Sequence, residues 1–396
     1  MMMFVLTTVM TVSAQESADS DTSIVFNREL QGVTVVSHNT VRKMREAAMP
    51  VTVLGVRQLE GTTTSLNDAL ARTAGITVRN TGGVGSASRI SVRGLEGKRM
   101  GVYIDEAAIG QLSDYMTLND VPTDMIERIE IYKGIVPYRF GGSALGGVVN
   151  VVTKEYPPFY LDASYEIASF NTHKLNFTFK RSNEDTGLQF GIGGCLTYSD
   201  NNYKMELLNL GNRKVRRDHD TFQKMMMGAS LKATKWYFDE AKLELVFTGT
   251  KAEIQGIDSD IREAYNHGMS GITALTLKRD NFLFDGLDFD FDGCYSYGEN
   301  GLKDDAMYRY DWDGHRYPAV SPYGGEQGSY ASDSKNHTHD LASKLNLNYL
   351  LNEHHAFNIN LYATHTRQNP KNELMDKSFG YQTNFPSRMS SLTVGL

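Results

Sequence analysis

The chain has 396 residues, 40% of them apolar and 10% aromatic, with a formal net charge of −7. That aromatic content excludes a disordered chain, and the acidic balance argues against nucleic acid as a partner. Its two cysteines, Cys195 and Cys294, exclude a disulfide framework and a cysteine-rich zinc site.

The opening "MMMFVLTTVMTVSAQE" reads as an export signal over residues 1–14, with the small residues Val12-Ser13-Ala14 before the cleavage point. No Lys or Arg precedes the apolar run, which a start codon upstream of Met1 would explain. Beyond it no apolar run approaches the ~18 residues of a membrane helix, so any spanning structure has to be a β-barrel. Residues 15–42 form a polar tether around the β-prone segment Val33, Thr34, Val35, Val36 and Ser37. Such a segment can add as a strand to a partner's sheet edge, or it can be the first strand of the domain that follows.

Residues 43–155 read as a small α/β domain. A helix is expected in "SLNDALARTAG", with Ser65 as N-cap, Leu66, Ala69 and Leu70 as its apolar face and Gly75 as its stop. Short strands are expected over 76–79, 89–93, 102–104, 129–132 and 148–152, with a helical turn opened by Pro122. The loop glycines match no phosphate loop or dinucleotide fingerprint. They suit turns of positive φ and close backbone approach.

From about residue 156 the pattern changes to period two. Leu161, Ala163, Tyr165 and Ile167 alternate with Asp162, Ser164 and Glu166, and Leu345, Leu347, Tyr349 and Leu351 alternate with Lys344, Asn346 and Asn348. Short turns near 182–187, 234–240, 285–286 and 352–354 alternate with long polar links near 199–220, 254–270, 298–338 and 366–386. Strict alternation of short and long links favours a transmembrane barrel over a soluble sandwich. About ten strands are counted to Leu396.

"DFDFDGCYSYGE" (288–299) fits a calcium-loop pattern, yet Leu287, Phe289, Phe291, Tyr295 and Tyr297 make it the apolar face of a seventh barrel strand. Asp288, Asp290 and Asp292 then stand in a lumen-facing row about 6.6–7 Å apart, which cannot wrap one ion. Asp285-Gly286 is expected as a tight turn before this strand, and 298–301 as the start of a long loop after it.

The long links hold the candidate ligand residues. Tyr308, Arg309, Tyr310, Trp312, Arg316 and Tyr317 suit a planar or catecholate ligand through stacking and cation–π contact, although tyrosines also build interfacial belts. The basic run 213–220 suits an anionic ligand or lipid phosphates. His337 and His339 share a strand face without an identifiable third ligand, so no metal site is assigned, and no catalytic arrangement stands out.

"RISVRGLEGKRMGVYIDEAAIG", followed by "DMIERIEIYKGIVPYRFGGSALGGVVNVVTK", resembles the plug-domain signature of TonB-dependent outer-membrane receptors. The matching pieces are Val92-Arg93-Gly94, Val102 to Asp105, Ile126 to Gly134 and Phe140 to Thr153, with Glu106 and Lys133 departing from the usual residues. The resemblance implies a membrane β fold, an α/β plug followed by an incomplete antiparallel transmembrane β-barrel. About 10 of an expected 22 strands would be present, since 22 strands need roughly 530 residues. The final "SSLTVGL" also lacks the usual terminal aromatic, so an N-terminal part of a longer receptor is expected.

By the same resemblance Val33–Ser37 is the TonB box, and Arg93, Glu127, Arg128 and Glu130 lock plug to barrel wall. Gly94, Asp105 and Gly134 complete the signature. The implied protein is no enzyme and has no cofactor. It resides in the outer membrane of a Gram-negative bacterium, and its partners are TonB, outer-membrane lipid and lipopolysaccharide, and a small-molecule metal chelate. A ferric siderophore is the first expectation, with haem or cobalamin as alternatives. A non-transporting surface protein that binds calcium or another ligand is the reading from another class.

Overall fold

The computed structural model describes residues 51–55, 66–80, 82–86, 88–96, 99–105, 107–108, 125–134, 140, 146–154, 157–352 and 355–395. The export signal, the tether with Val33–Ser37, the N-cap Ser65 and the Pro122 turn lie outside the described residues.

Among the described residues, the first half shows eight short strands and one helix. They are β1 (Val51–Gly55), α1 (Leu66–Ala71), β2 (Ile76–Asn80), β3 (Ser88–Val92), β4 (Leu95–Glu96), β5 (Met100–Ile104), β6 (Ala107–Ala108), β7 (Ile126–Tyr132) and β8 (Gly147–Thr153). One sheet runs β1-β7-β8-β5-β6, with β5 parallel to β8 and the other pairs antiparallel, and a second runs β2-β3-β4. β7 and β8 lie inside the sheet order, β8 as a near-continuous apolar run, and Ile129, Ile131, Val149 and Val151 are fully buried. Leu66 and Leu70, one helical turn apart, close the same core, and Gly75 at φ 81° ends that segment. Burial of each such side chain contributes about 1.5–3 kcal/mol. Gly147, at φ 132°, lies so close to the Tyr132 carbonyl that any Cβ would collide with it.

The second half is a ten-stranded antiparallel sheet in chain order. Its strands are β9 (Phe159–Ala168), β10 (Thr172–Asn183), β11 (Leu188–Ser199), β14 (Phe222–Ala233), β15 (Glu240–Glu253), β16 (Tyr265–Arg279), β17 (Leu287–Asp304), β20 (Ser332–Asn352), β21 (His355–Asn372) and β22 (Ser387–Gly395). Between them sit two small hairpins, β12 (Lys204–Leu207) with β13 (Arg213–Arg216) and β18 (Tyr308–Tyr310) with β19 (Arg316–Pro318), and a short helix, α2 (Glu373–Phe379). The counted strand number holds, and β17 is the seventh. Its outward face carries Tyr295, exposed like Leu161, Tyr165, Phe190, Leu245 and Leu341 on neighbouring strands, as lipid contact requires. The inward face is polar. Asp290 accepts a hydrogen bond from Asn346 at 3.3 Å, and Asp292 accepts one from Thr276 at 2.9 Å and lies 3.8 Å from the Lys344 ammonium. The acidic row is therefore part of a lumen ladder on one strand, not a calcium loop.

The plug packs on this inward face. Ile272, with Val246 and Cys294 beside it, joins the apolar cluster of α1, β7 and β8.

Three expected connections differ. The tight turn at Asp285-Gly286 is a seven-residue link, 280–286, because Phe282 stacks on Phe289 at 4.6 Å and Asn281 accepts the Gly286 N–H at 2.6 Å. Residues 298–301 continue β17, paired with β16 and β20, and do not start a loop. Short and long links do not alternate strictly, since β9 and β10 are joined on the long-link rim by only 169–171. Phe170 and Asn171 both adopt positive φ there, 64° and 53°, the conformation of a primed hairpin turn without its usual glycine.

Candidate functional site at the long-loop rim

The links 200–221, 254–264, 305–331 and 373–386 all leave one rim of the sheet, and four of the opposite connections are short. The hairpin β18–β19 brings the six ligand candidates of the sequence together. Tyr308, Tyr310 and Arg316 share one face, and Arg309 and Tyr317 share the other. Arg316 lies 4.3 Å over the Tyr308 ring, and Arg262 lies 3.8 Å over Tyr310. Trp312, at the tip, donates its ring N–H to the Ile257 carbonyl at 3.0 Å. Part of the aromatic and guanidinium surface thus holds loops in place, while Tyr308 and Tyr317 remain exposed.

The tip is a charged turn. Asp311 accepts hydrogen bonds from the backbone N–H of His315 at 2.9 Å, the His315 ring at 3.0 Å, Tyr317 at 3.0 Å and the Asp313 N–H at 3.0 Å. Desolvation opposes ionisation, but these bonds, led by those of His315, outweigh it and hold the carboxyl down to about 2. The same contact raises the Tyr317 phenol above its ordinary value. Asp311, Asp313 and His315 place one donor atom each within 4.8 Å of one another. Asp313 is also ion-paired with Arg213 at 2.6 Å.

Sequence reading missed the residues that join the loops. Glu326, 1% exposed, accepts the backbone N–H groups of Arg262, Glu263 and Ala264 at 3.0, 2.5 and 2.7 Å. Asp304 in turn accepts the N–H groups of Glu326 and Gln327 at 2.7 and 3.0 Å. Asn209 bonds Asp258 at 2.9 Å, and Tyr330 packs on Phe379 at 4.6 Å, so all four long links are tied together. The hydrogen bonds that Arg262 donates to Asp260 raise its affinity for the proton and outweigh desolvation, which lowers it.

The tie continues into the plug. Asn201, 4% exposed at φ 49°, accepts the Val84 N–H at 2.9 Å and donates to the Val84 carbonyl at 2.9 Å and the Asp220 carbonyl at 3.1 Å. The glycines of "GGVGS" make this approach possible, because a Cβ on Gly85 would occupy the Phe222 ring. This loop joins the plug to the rim.

The plug signature residues lie elsewhere. Arg93 (φ 50°) and Gly94 (φ 83°) form the turn after β3, and Gly134 (φ 95°) follows β7 with the Arg93 side chain near it. Asp105, at φ 46°, caps β8 by accepting the Thr153 N–H at 2.8 Å and hydroxyl at 2.6 Å. Arg128, expected to help lock plug to wall, has ion-pair partners on its own strand. Its guanidinium pairs inside the plug, with Glu127 at 3.4 Å and Glu130 at 2.9 Å. Glu130, buried, is also held by Tyr132 at 3.0 Å and Asn150 at 3.3 Å. Burial lifts the Tyr103 phenol to about 12, and its hydroxyl donates to the Phe140 carbonyl at 2.7 Å.

Residues 43–148 match the family model described as TonB-dependent Receptor Plug Domain. The chain carries the plug of a TonB-dependent receptor. A related sequence is the vitamin B12 transporter BtuB of Vibrio vulnificus (strain CMCP6), 30% identical over 149 residues that are 37% of this chain and 23% of that protein. The ferric enterobactin receptor PfeA of Pseudomonas aeruginosa superposes with a TM-score of 0.61 at 14% identity, covering 89% of this chain and 55% of that one. The copper transporter OprC superposes with a TM-score of 0.57 at 15% identity, covering 82% and 46%. At these identities the superpositions speak for the fold, and this chain spans about half the length of both structures. The TonB-dependent receptor fold comprises plug and barrel wall alike, and receptors of this family reside in the outer membrane.

Proposed function

We propose that the intact protein is an outer-membrane receptor that imports a scarce nutrient chelate, a ferric siderophore first among candidates, with energy delivered through TonB. The carrying observation is the continuous tie from the exposed hairpin β18–β19, through the linked loops, to Asn201 and the plug loop 82–86. A ligand that settles on the rim is thereby in mechanical contact with the stopper it has to displace. Residues 1–14 direct export, and Val33, Thr34, Val35, Val36 and Ser37 pair as a strand with TonB, so that a pull from the periplasm reaches the plug. Exposed Tyr308 and Tyr317, with Arg309 beside them, support a flat, electron-rich or anionic ligand.

The relationship to a vitamin B12 transporter favours cobalamin as the second reading. Binding and uptake of ferric enterobactin, haem and cobalamin by cells expressing the intact receptor separate the cases. Deleting residues 33–37 is expected to abolish uptake of whichever ligand binds while leaving binding intact. Unchanged uptake after the deletion, or binding of none of the three, would sink the proposal.

A further inference from the structure

Two of the rim's long links meet at one histidine. His219, near the end of the 200–221 link and with its side chain only 13% exposed, reaches the 254–264 link through its ring. Its Nε2 lies 2.8 Å from the carbonyl oxygen of Ala264, a fully buried residue whose carbonyl also takes the Ile254 N–H at 3.2 Å. A carbonyl can only accept, so Nε2 carries a hydrogen whenever this bond is made. The second nitrogen, Nδ1, faces a carboxylate oxygen of Glu253, the last residue of β15, at 3.6 Å. With the ring neutral, an acceptor is opposed to an acceptor. A proton on Nδ1 turns the same geometry into a charge-assisted pair.

The other charged groups on the surrounding elements have partners of their own. Arg217, in the same link, is bound to Asp220 at 2.7 Å. Arg262, in the facing link, is bound to Asp260 at 2.6 Å, and Asp218 adds to the field at its guanidinium. Lys251, two residues before Glu253, lies over the Tyr265 ring at 4.5 Å. Glu326, from the 305–331 link, is taken up by backbone N–H groups, that of Ala264 among them. Both partners of the facing pair are held in place. The same Glu253 oxygen accepts the Thr221 N–H at 3.1 Å, and Gln255 accepts the His219 N–H at 3.3 Å. Asp220, next in the chain, gives its carbonyl to Asn201, the residue that holds Val84.

We propose that His219 is a proton-operated bond of the rim, by which acid tightens the 200–221 link on the 254–264 link and, through Asp220, the plug loop. The proton adds a bond to the closed rim that an opened rim lacks. The tightening is therefore complete below the range in which histidine titrates, and is lost as pH rises through it. The device acts on the clasp and is the same for any imported nutrient.

The test is amide exchange of the intact receptor in detergent micelles at about pH 5.5 and about pH 7.5, on either side of the histidine range. Each rate is divided by that of the unfolded chain at the same pH. Protection at 219–221 and 253–256 is expected to be about 5- to 10-fold higher at the acid pH, and protection at 84–86 to rise with it. His219→Gln keeps a donor for the Ala264 carbonyl but takes up no proton. It is expected to match the wild type at the higher pH and to lose the rise in acid. Glu253→Gln keeps the histidine and is expected to lose the rise too. Equal protection at the two pH values in the wild type would overturn the proposal, as would a rise that survives in both variants. A rise in the links without one at 84–86 would overturn the coupling to the plug.

Discussion

Asn201 occupies a left-handed conformation, φ 49°, that asparagine tolerates better than most residues, and its amide satisfies both backbone groups of Val84. Asn201→Ala removes the partner but leaves the half-buried Val84 N–H and carbonyl in place, at up to about 1–3 kcal/mol each when unsatisfied. Amide hydrogen exchange at residues 84–86 is expected to accelerate by about 5- to 150-fold, with the barrel strands unaffected. Unchanged exchange would mean that the rim does not hold the plug loop. This residue was not legible in the sequence, because its partner lies 117 positions away and is backbone. Glu326 hid for the same reason, since its partners are three main-chain N–H groups more than sixty residues away. Asp288, Asp290 and Asp292 were legible, because period-two placement depends only on neighbours in the chain.

At the scale of elements, the four long links behave as one clasp with Glu326 at its centre. Glu326→Ala leaves three N–H groups of 262–264 without their acceptor and removes three of the bonds that hold the 305–331 link to the 254–264 link. Limited proteolysis is expected to cut within 305–331 several-fold faster in this variant, by the opening its lost bonds allow, about 1–3 kcal/mol. Cutting at the wild-type rate would contradict the clasp. The exposed pair Arg213–Asp313 contributes far less, about 0–1 kcal/mol, and is not where the clasp's strength lies. Strands and turns were read with different success. The strands were visible because lipid on one side and water on the other impose alternation on every residue. Two of the turns were not, because packing of Phe282 on Phe289 widens one beyond its Asp-Gly signal, and Phe170-Asn171 forms another without glycine.

At the scale of the whole molecule, an α/β plug lies against the polar inner face of a transmembrane wall, and its loop 82–86 is fastened to the long-loop rim. The plug was recognisable from sequence because its turns need particular residues in fixed order, Gly147 and Asp105 among them. Its internal use of Arg128 was not, since a charge reads alike whether it pairs within a domain or across an interface. Under the proposed function, import requires the fastening at Val84 and Asn201 to release. The most direct measurement joins them covalently, with Val84→Cys and Asn201→Cys in a receptor whose Cys195 and Cys294 are replaced by Ala. With the disulfide formed, the receptor is predicted to bind its ligand but import none, and import is predicted to return on reduction. Full import through the oxidised receptor would contradict the account.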